Sequence, residues 1–171
     1  MLSFKERKIF QFLKNKNKFN PTIFSNAFGS SCIKIQLDNN QQFVVKGYKK
    51  NITGYNAIFS EAKSVQFMNE KFPNLFPKVF FLNRSVFIMQ FVSNNKIKDK
   101  NSEKDLAIKI SKIHKNKNDK FGFKFDTPIG GLRQPSNFQK SWIEFYRNKR
   151  LLHIFDKINN SRPMPKKVNT A

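Results

Sequence analysis

Cysteine is almost missing from this chain. Cys32 stands alone, which excludes an internal disulfide framework and fits a reducing cytosol. Histidine is nearly as scarce: His114 and His153 are the only two, so no His/Cys cluster has metal-ligand spacing and zinc catalysis is excluded. No apolar run approaches the length of a membrane span. The start, MLSFKERKIF, lacks a signal-peptide core followed by a small-residue cleavage site, so the expected location is the cytoplasm. Acidic residues are few, 11 against 33 basic ones, giving a net charge of +22. Such a charge invites nucleic acid, because a dense basic surface neutralises phosphates. Yet only six of the basic residues are arginines (Arg7, Arg84, Arg133, Arg147, Arg150, Arg162), and arginine is the residue of bidentate base and phosphate recognition. The lysines are dispersed among Asn, Ile and Phe, and the dense runs at 14–18 and 115–119 hold no aromatic to stack on bases. Nucleic-acid binding is therefore expected only as an adventitious property.

What is plentiful is phenylalanine, 21 residues of it, enough apolar mass for a core in a chain of 171. That length suits one domain, or one lobe with part of another. Residues 3–14 read as a short amphipathic helix. Gly29-Ser30-Ser31-Cys32 reads as a loop of small residues, through which backbone amides could approach phosphate oxygens, although it is not a G-x-G-x-x-G. Ile33–Leu37 and Phe43–Lys46 alternate as strands around a turn at Asp38–Gln41, and alternation puts Val44 and Lys46 on one face. A helix follows over 55–71, its apolar stripe running through Ile58, Ala62 and Val65 with Glu61 at the edge. Lys78–Leu82 and Val86–Phe91 read as a second hairpin, with strands buried on both faces or nearly so. Residues 93–101 form a polar connector. The next helix is capped by Ser102 and carries Leu106, Ile108, Ile110, Ile113 and His114, the histidine reading as structural more readily than as a base. From Phe121 to Asn137 the Gly and Pro residues crowd too closely for regular structure, and an aromatic helix capped by Asn137 then runs through Phe138, Trp142, Phe145 and Tyr146.

Phe121-Gly122-Phe123, Asp126, Ile129-Gly130-Gly131, Gln134-x-x-Asn137, Trp142-x-x-Phe145 and Arg150-Leu151 resemble the fructosamine (ketosamine-3-) kinase family, which shows these pieces in the same order at nearly the same spacing. Phe43-Val44-Val45-Lys46 also resembles the V-A-I-K strand of protein kinases, and Glu61-Ala62 the helix that follows it. The resemblance implies an α+β, protein-kinase-like small lobe over 1–92, a hinge over 93–101, a partial helical lobe over 102–160 and an irregular tail over 161–171. It implies an ATP-dependent phosphotransferase using Mg2+, acting on the sugar of ketosamines (glycated amines). Lys46 would hold phosphate, Glu61 would orient it, and Gly29, Ser30 and Ser31 would cover the phosphates. Met89, Gln90, Phe91 and Val92 would line the adenine site, with Gly130, Gln134 and Asn137 toward the substrate. Cys32, beside that loop, is a redox candidate in which loop amides and lysines favour the thiolate, or else an inert small residue.

The family's catalytic base and metal ligands lie in and beyond an H-G-D-x-x-x-x-N loop, and neither histidine here is followed by Gly-Asp. The resemblance spans about residues 24 to 158, roughly the first half of the family's usual length. A frameshift, premature stop or split gene is therefore expected, with possible complementation by a C-terminal chain. The apolar faces of the helices at 104–114 and 138–158 are expected to lie uncovered. A related aminoglycoside- or choline-type kinase, and a non-catalytic nucleotide- or polyanion-binding fragment, stay open as alternatives.

Overall fold

The computed structural model describes residues 19–27, 30–37, 39–48, 54–94 and 99–161. The expected helix at 3–14, Gly29, Asp38, residues 95–98 of the connector and the tail from 162 onward lie outside the described residues. The described residues fall into two compact units that divide between Lys115 and Asn116.

The first unit is built on a five-stranded antiparallel sheet. Its strands are β1 (Phe19–Ala27), β2 (Ser30–Leu37), β3 (Gln42–Tyr48), β4 (Val79–Leu82) and β5 (Val86–Gln90), in spatial order β1-β2-β3-β5-β4. Two asparagines set the tight connections. Asn40 adopts a positive φ of 61° between β2 and β3, a conformation asparagine tolerates. Asn83 accepts from the amides of Ser85 and Val86, each at 2.8 Å, which turns the chain from β4 into β5. β1 is not visible in the sequence pattern, since Asn and Pro are depleted in strands. Pro21 stands on an edge strand, which is laddered on one side alone and where proline is tolerated in sheets. β2 begins at Ser30, so Ser30 and Ser31 are strand residues paired with Ala27 and Asn26, not members of a loop. β4, expected to be buried on both faces, is the other edge, and its Phe80 is 42% exposed.

One helix, α1 (Ala57–Lys71), packs on the sheet. Ile58 and Ala62 form a closed cluster with Phe87 of β5, with Leu82 and Met89 against it. Asn56 starts the helix: its Oδ1 accepts from Phe59 N at 3.0 Å, and its Nδ2 donates to the Arg84 carbonyl. The same buried asparagine thus caps α1 and ties it to the β4–β5 turn. α2 (Lys100–His114) is capped by Asp99 rather than Ser102; the Asp99 carboxylate accepts from Ser102 N at 2.6 Å, and that bond holds it below its ordinary pKa. No residue of α2 is buried, and Leu106, Ile108 and Ile110 are exposed.

The second unit corrects the sequence reading twice. The loop expected to be irregular contains a hairpin, β6 (Thr127–Ile129) and β7 (Leu132–Gln134), turned by Gly130 at φ 56° and Gly131. The aromatic helix begins at Trp142 rather than 138. Ser141 caps it, accepting from Glu144 N at 3.3 Å, while Gln139 pairs in an extended bridge with Phe121. The helix runs as α3 (Trp142–Tyr146), a π turn (Arg147–Leu151) and α4 (Leu152–Ser161). Trp142, Ile143, Leu151 and Leu152 are exposed along it.

Phe87 is fully buried at the helix–sheet contact, so Phe87→Ala should destabilise the first unit by about 3–5 kcal/mol, the usual cost of deleting a buried aromatic. Phe80→Ala, at the exposed edge, should cost clearly less. Urea unfolding followed by far-ultraviolet circular dichroism separates the two, and equal midpoints would contradict the packing described.

Candidate functional site

Alternation along β3 turns Lys46 to the face on which α1 lies, and α1 brings Glu61 opposite it. Lys46 Nζ donates to both carboxylate oxygens of Glu61, at 2.8 and 2.7 Å. Both side chains keep contact with solvent, 27% and 34% exposed. An ion pair this wet contributes only about 0–1 kcal/mol to stability, so its main effect is to hold the ammonium in one orientation. The register places Cys32 beside Lys46 on one side and Phe87 on the other. Two residues along the same face, Lys34, Val44 and Met89 form the next row. The face is thus a strip with an oriented cation at one end and an apolar floor, Val44 and Met89, beside it.

The remaining candidates divide by geometry. Gln90 lies on the opposite face, its side chain accepting from Lys78 N at 3.3 Å and its amide donating to the Lys78 carbonyl at 2.8 Å. Phe91 follows the strand and lies under Lys34, whose Nζ is 4.1 Å from the ring centroid. Val92 is exposed. Ser30 and Ser31 continue the β2 ladder next to Cys32. Among the described residues, no group of three or more His, Cys, Asp or Glu gathers that could hold a metal ion.

Cys32 is half-buried in β2. Burial pushes its thiol above the ordinary value, and this outweighs Lys46, which pulls it down; Glu61 adds a smaller push upward.

In the second unit the candidates Gly130, Gln134 and Asn137 belong to a hairpin held by a polar knot that sequence reasoning did not resolve. Its centre is Ser136, fully buried. Asp126 accepts from Ser136 N at 3.0 Å and pairs with Arg133. Thr127 Oγ1 lies 3.2 Å from Ser136 Oγ, which donates to the Gln134 carbonyl at 3.1 Å. Arg150 reaches back from the π turn, donating to the Pro135 carbonyl at 2.7 Å while lying 4.6 Å over the Phe145 ring. Burial works against the Arg150 charge and Asp126 supports it. Gly122 is squeezed into the same knot: at φ 136°, an added Cβ would stand 2.5 Å from the Ser136 carbonyl. The signal that could have located the knot was Arg150, one of two arginines that follow the aromatic run Trp142–Tyr146. Gln134 is half-buried beside Thr127, and Gly130 and Asn137 are exposed.

The site yields a titration test. Iodoacetamide labelling of Cys32 should rise with pH at a higher midpoint than free cysteine. The charge terms fix the signs for variants: Lys46→Met should move the midpoint further up, and Glu61→Gln should move it down. A midpoint below that of free cysteine, read by mass spectrometry across pH, would contradict this geometry.

The sequence model of the fructosamine kinase family matches residues 10–170. No curated protein matches the chain. The solved structures that share its fold include two described as a "putative fructosamine-3-kinase". The one from Thermobifida fusca has a TM-score of 0.75 at 16% identity and covers 85% of this chain and 51% of its own. The one from Haemophilus somnus has a TM-score of 0.65 at 23% identity, with 84% and 49% covered. The chain therefore spans about half the length of these two solved proteins. With the sheet, the single packed helix and the Lys46–Glu61 pair in place, the fold class is α+β of the protein-kinase-like kind. The chain belongs to the fructosamine kinase family.

Proposed function

We propose that this chain supplies the nucleotide-binding lobe of an ATP-dependent phosphotransferase that acts on the sugar of ketosamines. The observation that carries this reading is the Lys46–Glu61 pair, formed between the third strand and the packed helix of a fructosamine kinase family member. In phosphoryl transfer of this kind a strand lysine holds the α- and β-phosphates and a helix glutamate orients it. Ser30 and Ser31, which lead along the strand into Cys32, the ladder partner of Lys46, would lie near the phosphates. Val44 and Met89 form the apolar floor for a base. The amide of Gln90 is committed to Lys78, so a base edge would be met beyond it, at Val92. In the second unit, the Ser136 knot would hold Gly130, Gln134 and Asn137 in a fixed loop for the acceptor sugar.

The residues present fit the nucleotide and not the metal. Mg2+ would neutralise phosphate charge in the full reaction, but no described carboxylate cluster gathers to hold it. What this chain contributes is binding and orientation. Proton removal from the attacking hydroxyl needs an aspartate facing it, and none of the six here has an Asn five residues on in a loop after His-Gly. The domain reading follows: a small lobe to residue 92, a connector over 93–101, and helical elements to 160 that belong to the large lobe. The cytoplasm is the proposed location.

Lys46→Ala and Glu61→Ala should each weaken MgATP binding about tenfold or more, because charge-assisted contacts to phosphate contribute about 1.5–3 kcal/mol. Lys63→Ala, an exposed lysine on α1, should change little. Isothermal titration calorimetry distinguishes the cases, and three equal effects would remove the phosphate role of Lys46. A coupled ADP-release assay with a glycated-lysine substrate should show no turnover by these 171 residues alone. Turnover by these residues alone would refute the half-site reading.

A further inference from the structure

The Lys46–Glu61 pair joins β3 to α1, and one tight turn touches both elements. That turn, between β4 and β5, is closed by Asn83, whose Oδ1 accepts from Ser85 N and Val86 N. On one side it lies hard against Gly47, the residue after Lys46: an added Cβ there would stand 3.0 Å from the Ser85 carbonyl oxygen. On the other side it holds the start of α1. Arg84 donates from its guanidinium to the Gly54 carbonyl at 3.2 Å, and Asn56 Nδ2 donates to the Arg84 carbonyl. Asn56 is 4% exposed, and both ends of its amide are engaged, the oxygen on Phe59 N and the nitrogen on the turn. Capping needs the oxygen alone, which serine, threonine or aspartate would also supply. The nitrogen adds nothing to the cap. What it adds is a directional tie between the helix start and the turn that abuts β3.

We propose that Asn56 is a positioning residue, which sets where along the sheet α1 lies and so brings the Glu61 carboxylate onto the Lys46 ammonium. Glu61 is the fifth residue of α1, about 7.5 Å along the axis from the cap, so a slide or rotation of the helix start is carried straight to it. The cluster of Ile58, Ala62 and Phe87 fixes how closely the helix lies on the sheet. Apolar contact has no direction, however, and leaves the helix free to slide over the strands. The partly solvated ion pair is too weak to hold the setting by itself. A buried hydrogen bond to a carbonyl of a closed turn supplies the missing constraint. The consequence for nucleotide binding rests on the phosphate role of Lys46.

Cys32 is the only cysteine of the chain and feels both charges of the pair, so one label reports on its geometry. Asn56→Ser and Asn56→Thr each keep an oxygen for Phe59 N and lose the tie to Arg84. In the full 171-residue chain both should move the iodoacetamide-labelling midpoint of Cys32 down, in the direction of Glu61→Gln, because the glutamate leaves the pair. In a Glu61→Gln background the same substitutions should move it no further. Phe80→Ala, a destabilising change away from the tie, should leave it in place, and circular dichroism confirms that the variants fold. By calorimetry the two Asn56 variants should bind MgATP about threefold to tenfold more weakly than the parent chain, as expected for the loss of one hydrogen bond. Unchanged labelling midpoints, a fall of the same size in the Glu61→Gln background, or an equal fall in Phe80→Ala overturns the positioning role. A shifted midpoint with MgATP affinity intact removes the link from Asn56 to the nucleotide. If the parent chain binds no MgATP, the phosphate role of Lys46 falls, and the labelling comparison decides the positioning role by itself.

Discussion

The contact between Ala62 and Phe87 sets the geometry of the first unit. Both are fully buried, and with Ile58 they close the cluster that seats α1 on the sheet. Phe87 is the cross-strand partner of Lys46, and Glu61 directly precedes Ala62. The apolar contact therefore decides the polar one: once Ala62 lies against Phe87, Glu61 is brought to Lys46. Alanine matters for its size, because a larger side chain there would lift the helix and lengthen the ion pair. Packing is thus the cause of the pair, and the pair's small contribution to stability agrees with that order of cause and effect.

The second unit is organised round a buried polar group, Ser136, with Phe145 buried and Trp142, Ile143, Leu151 and Leu152 exposed. Ser136 has no exposed surface, and its amide and hydroxyl both find partners, as a buried polar group must. This gives the family motif a mechanical meaning. Phe121-Gly122-Phe123 is the strip that bonds to Gln139 and Ser136, and the glycine is needed because a Cβ would meet the Ser136 carbonyl. Asp126 ties both sides of the hairpin, and Arg150 locks its exit. The π turn around Arg150 is intelligible in the same terms: an extra residue in the turn re-aims one side chain, a common use of π bulges.

Much of this was legible where the determinant is local. Alternation in β2 and β3 and the apolar stripe of α1 set out strand, lysine and helix glutamate in order, the resemblance to the kinase strand and helix implies that Lys46 meets Glu61, and the structure pairs them. What was not legible depends on partners distant in sequence. β1 carries Asn and Pro and is a strand because β2 supplies its ladder. The hairpin at 127–134 looks like a run of turn residues, and its strands are held by Asp126, Ser136 and Arg150. Caps were misplaced by a few residues at Ser102 and Asn137 because Asp99 and Ser141 offer the same chemistry nearby. Cys32 read either as a thiolate or as an inert small residue; its surroundings are set by a strand that reaches back to Ser30, farther than periodicity alone extended it.

α2 shows how far local terms can carry an element. Its apolar residues recur with helical spacing, yet none is buried, so its stripe receives no packing from the described residues. What supports it locally is the Asp99 cap, whose carboxylate accepts from Ser102 N. The i,i+4 pair between Asp105 and Lys109 adds about 0.3–0.5 kcal/mol at most. Asp105, Ile108 and Ile110 are weaker helix formers than Leu or Ala, and a helix of 15 residues is marginal in water even with an alanine-rich sequence. The local sum is therefore near the threshold of helix formation. A stable α2 needs apolar cover over Leu106, Ile108 and Ile110, and its helical content should respond to whatever provides that cover more strongly than to any change in its caps.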